Sequence, residues 1–215
     1  MAKKTKEEAQ ETRNAILDAA EVVFQERGVS RTSLAEIAAA AGVTRGAVYW
    51  HFANKADLFD AMVQRVFGLF EKKFTELQAA GDENPVDLLR KMACHFLERV
   101  VNDPSYFRMI DISWHKCEYI GEMAVIRDSH LECGNRYLEI STEAFRLAQE
   151  RGFLPLTVEP RYAAVGLMSL IDGMVLNWTL DKKLFPLASY GPALIDTYMA
   201  GLGLMFIAEK NGSRE

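Results

Sequence analysis

At 215 residues, 49% apolar and 26% charged, the chain has the composition of a soluble globular protein of one or two domains, long enough to bury a core without crosslinks. Its net charge of −5 is uneven: residues 1–55 hold eight Lys/Arg against seven Asp/Glu and open on Lys3, Lys4 and Lys6, while the remainder carries the acidic excess. Three cysteines without framework spacing (Cys94, Cys117, Cys133) argue against a disulfide scaffold and for buried thiols in a reducing cytosol, and the Lys- and Glu-rich opening lacks the apolar run of a secretory signal.

Helix-period patterns run almost end to end and strand signals are scarce, which predicts an all-α fold. Ile16, Leu17, Ala20, Val23 and Phe24 form one apolar stripe, closed by Gly28 as a C-cap. Ser33 with Glu36 three residues on is a capping box for a short second helix carrying Leu34, Ile37 and Ala38. Ala41-Gly42-Val43 is a turn, and Thr44 caps a third helix ending near Phe52. Asn54, with Asp57 at N3, starts a longer fourth helix carrying Leu58, Phe59, Met62, Val66, Phe67, Phe70 and Phe74; the loop Gly81-Asp82-Glu83-Asn84-Pro85 ends it. Further helices are predicted from about Val86 to Val101, Tyr106 to Tyr119, Ala124 to Glu150, Pro160 to Leu180 and Ala188 to Glu209, with breaks at Asp103-Pro104, Gly152 to Pro155 and Phe185-Pro186. Tyr162 to Leu180 is the longest nearly uncharged stretch, but Asp172 and Asn177 within it argue against a membrane span. The architecture is an N-terminal three-helix head (residues 10–70) joined by the long fourth helix to a larger helical body (residues 71–210).

Two short helices joined by a tight glycine turn form a helix-turn-helix, here at about residues 33–52, whose second helix fits the DNA major groove. Leu34, Ile37, Ala38, Val43 and Val48 face the head, which leaves Tyr49, Trp50 and His51 to face outward or sideways. Arg45 can donate paired hydrogen bonds to a guanine edge, Gly46 keeps the first turn slim, and Ala47 can meet a thymine methyl. Thr44, Tyr49 and His51 suit phosphate oxygens, and Trp50 the sugar-phosphate wall. Lys55 is expected to bring a charge to a phosphate at the start of the fourth helix, as Thr32 or Ser33 would bring a hydroxyl at the second.

The string SLAEIAAAAGVTRGAVYWHFANKADLF resembles the DNA-binding signature of the tetracycline-repressor (TetR) family: the small-residue turn, the Tyr-x-His-Phe ending and the Asn-Lys-x-Asp-Leu-Phe run occur in register. KKTKEEAQETRNAILDAA and HKCEYIGEMAVIRD are similar to the AcrR subgroup, repressors of multidrug efflux pumps. The resemblance implies a cytoplasmic homodimer that binds double-stranded operator DNA near efflux-pump genes and lets go when a hydrophobic small molecule enters the body. It implies no enzyme activity and no cofactor.

In the body, Phe107, Ile110 and Trp114 fall on one side of the helix 106–119, with Asp111 and His115 on an adjacent strip. Apolar walls with a few polar groups suit a small-molecule site, to which Phe67, Phe70, Met92, Phe96, Met168 and Asp172 can add; ordinary core packing is the alternative for each. Cys94-His95 and His115-x-Cys117 diverge around a helix and do not chelate a metal. The last two helices are apolar nearly all round, which predicts burial twice, once against their own core and once elsewhere; the resemblance implies that a second copy covers the other face, with packing inside one core as the alternative. Two other functions remain open: a TetR-type repressor of metabolic genes answering to a pathway intermediate, and a helical carrier or enzyme with a vestigial head. No nucleophile–base pair or phosphate-cradling glycine loop supports catalysis.

Overall fold

The computed structural model describes residues 6–66 and 84–203, and among these the regular structure is helical, with no strand. Helix α1 (Lys6–Arg27) buries Ile16, Leu17, Ala20, Val23 and Phe24, the stripe read from the sequence. It stops where Gly28 takes a φ of +81° and donates its N–H to Phe24 O at 2.9 Å, a conformation that costs a glycine little. Helix α2 (Leu34–Ala40) starts on the Ser33–Glu36 capping box, with Glu36 N–H donating to Ser33 Oγ at 3.3 Å and Ser33 N–H to Glu36 Oε2 at 2.8 Å. Gly42 turns the chain at a φ of +65° into α3 (Arg45–His51), capped by Thr44, whose Oγ1 accepts from Ala47 N–H at 3.1 Å. Helix α4 occupies residues 55–66, capped by Asn54 and Asp57, and buries Ala56, Leu58, Phe59, Met62 and Val66.

Then come α5 (Pro85–Asn102), α6 (Pro104–His115), a short 3-10 turn (Gly121–Met123), α7 (Ala124–Glu150), α8 (Pro160–Leu180) and α9 (Leu187–Gly201). The predicted continuation of the fourth helix, with Phe67, Phe70 and Phe74, and the end of the last helix beyond Gly203 lie outside the described residues.

One helix differs from its prediction at both ends. The Asp103-Pro104 break begins α6: the Asp103 carboxylate accepts from Ser105 and Tyr106 N–H at 3.0 and 3.2 Å, and Pro104 fills the first turn, where no N–H is missed. Burial raises the Asp103 carboxyl, but Tyr106 N–H and the Arg99 guanidinium outweigh it and hold the group below its ordinary range. The helix ends at His115, short of Tyr119, because two non-helical bonds compete: Tyr119 Oη donates to Ser113 O at 2.8 Å, and Lys116 O accepts from Val29 N–H at 3.0 Å.

The described residues form two compact units, one of residues 6–66 and 99–134, the other of 84–98 and 135–203. The division is not the linear one read from the sequence, because α6 and the start of α7 cluster with the head. In the second unit Arg90 of α5 holds Asp196 of α9 through one guanidinium edge, Nε and Nη2 donating to the two carboxylate oxygens. At the α8–α9 crossing Tyr198 Oη donates to Ala163 O at 2.8 Å, and a Cβ at Gly166 would collide with the Tyr198 hydroxyl, so glycine makes room for the ring. Helix α8 is long and apolar enough to cross a membrane by length and composition, yet Ala163, Ala164, Leu167, Met174, Val175, Trp178 and Thr179 are buried, as in a core helix.

Candidate nucleic-acid interface

Helix α3 is held by little. Of its seven residues only Val48 is buried, at 0% exposure, and Phe52 just beyond it at 1% completes the anchor. Each turn of a helix offers one residue to a core on one side, so a two-turn helix with a single buried residue presents nearly its whole circumference to solvent. Thr44, Arg45 and Gly46 are exposed, Ala47 and His51 are half-buried, Tyr49 is 47% exposed and Trp50 73%. An indole that open costs free energy in an isolated chain, and its cost is recovered when a partner covers it.

The exposed side chains are ordered by one another. Arg45 Nη2 lies 3.4 Å from Tyr49 Oη, and the guanidinium carbon stands 5.4 Å from the centre of the Tyr49 ring, the i,i+4 pairing that helix geometry allows. That hydrogen bond raises the Arg45 pKa further above its ordinary value, so the group is a fixed cation. Trp50 and His51 meet edge to face at 4.5 Å. A planar cation with a forked donor set, two aromatic faces, a phenol and an imidazole on one slim helix suit base edges and the sugar-phosphate backbone.

Three flanking candidates behave differently. Ser33 is exposed, but its hydroxyl is engaged in the capping box, donating to Glu36 Oε2 at 2.8 Å. Thr32 is buried and donates to Gly28 O at 2.8 Å. Lys55 corrects the sequence reading: it is 7% exposed, and its Nζ donates to Thr32 O at 3.0 Å and Ser30 O at 3.4 Å. The carbonyls of the α1–α2 loop have no helix to satisfy them, and the lysine reaching across from α4 does so. Its place is beneath the α2 entry, as a brace. Conversely, the sequence reading passed over Arg13, whose guanidinium carbon lies 5.2 Å from the Phe52 ring centre and so beside the end of α3. The signal was available in the position of Arg13 one turn before the Ile16–Leu17 stripe.

The small-molecule candidates fall in both units. In the first, Ile110 is buried, and Phe107, Asp111, Trp114 and His115 are half-buried along α6, with Lys116 Nζ 3.8 Å from the Asp111 carboxylate. In the second, Met92, Phe96 and Met168 are half-buried. Asp172 lies on an exposed stripe of α8 with Tyr162, Val165, Ser169, Leu176 and Leu180, facing away from the buried side of its own helix. Surrounding protein nonetheless pushes its carboxyl up to about 6 by desolvation. Phe67 and Phe70 lie outside the described residues. The three cysteines are free thiols, and burial pushes Cys117 up to about 11, away from the thiolate form.

A family profile described as "Bacterial regulatory proteins, tetR family" matches residues 16–62, and another, "MAATS-type transcriptional repressor, C-terminal region", matches residues 84–204. Over 208 residues the chain is 39% identical to the HTH-type transcriptional regulator AcrR of Shigella flexneri, covering 93% of this chain and 94% of that one. Among solved structures it is similar to NalD, the secondary repressor of the MexAB-OprM multidrug efflux pump in Pseudomonas aeruginosa, with a TM-score of 0.83 and 34% identity over 92% of this chain and 98% of that one. It is also similar to SmeT of Stenotrophomonas maltophilia in complex with triclosan, with a TM-score of 0.81 and 31% identity over 88% and 90% of the two chains.

Proposed function

The chain belongs to the tetR family of bacterial regulatory proteins, and from that premise we propose that it is a DNA-binding repressor of a multidrug efflux pump operon, released from its operator when a hydrophobic small molecule binds its C-terminal region. The observation that carries the reading is the bareness of α3, a capped helix with Val48 as its one buried residue and Arg45, Tyr49 and Trp50 turned outward. Arg45 reads a base edge, Gly46 and Ala47 let the backbone approach, and Thr44, Tyr49, Trp50 and His51 grip the sugar-phosphate walls. Ser33 stays at the groove margin through its exposed position. Thr32 and Lys55 serve from below, holding the loop that enters α2.

The exposed stripe Tyr162, Val165, Leu176 and Leu180 on α8, with Tyr190 and Leu194 on α9, supports a homodimer that covers it with a second copy. Two recognition helices then meet two half-sites roughly 34–36 Å apart. Phe107, Ile110, Asp111, Trp114 and His115 on α6 are the residues we assign to the inducer. The relatives are regulators, and the chain acts as one in the cytoplasm, with no catalytic step.

Selection of bound duplexes from a random pool tests this directly. Two half-sites about one helical turn apart should emerge, should recur upstream of a pump gene, and should be released by triclosan, the compound held by the similar SmeT. Recovery of duplexes with no shared sequence would end the repressor reading.

A further inference from the structure

Glu21 is a buried carboxylate that neither the helix-turn-helix nor the small-molecule site uses. It lies midway along α1, 1% exposed, among the fully buried Leu17, Ala20 and Phe24, where an apolar residue would pack without desolvating a charge. Three side chains from two other helices converge on it. Ser105 Oγ of α6 stands 2.9 Å from each carboxylate oxygen, and Arg108 of the same helix donates Nε and Nη2 to Oε2, both at 3.2 Å. Arg65 of α4 donates to Oε1 and, through Nη1, to Asp18 Oδ1 at 2.7 Å. Two carboxylates on α1 are thus matched by two guanidinium groups, one from α4 and one from α6.

A buried ion cluster is a poor source of stability, because desolvation consumes most of its Coulombic gain. What it supplies is direction. Hydrophobic contacts between α1 and α6 would tolerate a slide of an ångström or two; a hydroxyl and a guanidinium sharing one carboxylate would not. A second tie lies just past the C-terminal ends of both helices, where Lys116 O accepts from Val29 N–H at 3.0 Å. Ser105 and Lys116 are roughly 16 Å apart along α6 at about 1.5 Å per residue, so the two ties lock an angle as well as a position.

We propose that Glu21 is a positioning residue for operator recognition: through Ser105 and Arg108 it fixes α6 on the head, through Arg65 it fixes α4, and together these set the spacing at which a dimer presents its two recognition helices. The inference rests on the repressor reading above.

The test is a spacing series. Duplexes carrying the two selected half-sites, and the same duplexes with one base pair added or removed between them, are titrated with the wild-type dimer and with Glu21→Gln, Arg108→Gln and Ser105→Ala; a single half-site duplex is the control. A rigid head should discriminate against the altered spacings by about tenfold or more, and Arg108→Gln and Glu21→Gln should reduce that ratio to about threefold or less while single half-site affinity stays within about twofold. Combining Glu21→Gln with Arg108→Gln should relax spacing no further than Glu21→Gln alone, since both act on one cluster. Unchanged spacing discrimination in the variants overturns the proposal. So does an equal loss on single and paired half-sites, which would make the cluster a support for the head's own fold. Should Glu21→Gln fail to fold, Arg108→Gln and Ser105→Ala, which leave the buried carboxylate paired with Arg65, carry the same measurement. Failure to select any paired site with the wild-type dimer would instead fall on the repressor reading.

Discussion

Helices α3 and α8 both leave large side chains open to water, for opposite reasons. Helix α3 has one buried residue, Val48, and its exposed set is aromatic and cationic: Arg45, Tyr49, Trp50. Helix α8 buries seven residues, and its exposed stripe at three- and four-residue spacing is mostly apolar, Tyr162, Val165, Leu176 and Leu180 with Ser169 and Asp172 between them. A surface that must meet a charged, stacked polymer wants flat rings and forked donors; one that must meet another apolar face wants area. Exposure alone does not say what covers a surface; the chemistry of the exposed set does.

The largest effect expected from breaking this contrast is on α8. Leu176→Glu combined with Val165→Glu should dissociate the dimer in sedimentation and lower operator affinity about a hundredfold or more, because each half-site is then bound without the linkage of the other. A pair of substitutions that leaves the dimer intact would remove α8 as its face. On α3, Arg45→Ala should cost about 1–3 kcal/mol on the selected operator and relax the preference at one base position. Equal losses on operator and random duplex in a fluorescence titration would demote Arg45 to a phosphate contact. Lys55→Met, next in size, should lower the stability of the chain by about 2 kcal/mol in urea unfolding, since the α1–α2 carbonyls lose a charged donor, while the salt dependence of DNA binding keeps its slope. A shallower slope by about one unit would return Lys55 to the phosphates.

The smallest effect belongs to Asp172. Its carboxyl, raised to about 6, holds a proton in the folded chain that the unfolded chain releases nearer its ordinary value of 3.8. Stability therefore declines as pH rises from about 4 through about 6 and is flat beyond. Asp172→Asn should abolish that decline, matching the wild type near pH 4 and exceeding it in melting temperature at pH 7.5. A variant less stable than wild type at pH 7.5 would mean that the ionised carboxylate has a partner.

Much of the head was legible because its determinants are local. The Ser33–Glu36 box, the Thr44 cap, the φ > 0 turns at Gly28 and Gly42 and the Val48 anchor all act within a few residues, so their spacing is visible in a one-dimensional string. The start of α6 at Asp103-Pro104 was equally local, but the pair was read as a break, since aspartate before proline ends one helix as readily as it begins the next. The turn of Lys55 toward the Ser30 and Thr32 carbonyls was not legible, because a lysine's direction depends on acceptors 23 and 25 residues away.

What the sequence by itself determined is the succession of helices, the caps of the head and the identity of the slim cationic helix, since hydrogen bonds to the next turn and apolar period are properties of neighbours in the chain. Only the tertiary structure decided which polar residues those helices spend internally: Lys55 under the α2 entry, Thr32 on Gly28, and Glu21 among Ser105, Arg108 and Arg65. A charged side chain is drawn to solvent unless a partner replaces its water, and the partners of Glu21 come from helices 44 to 87 residues further along the chain.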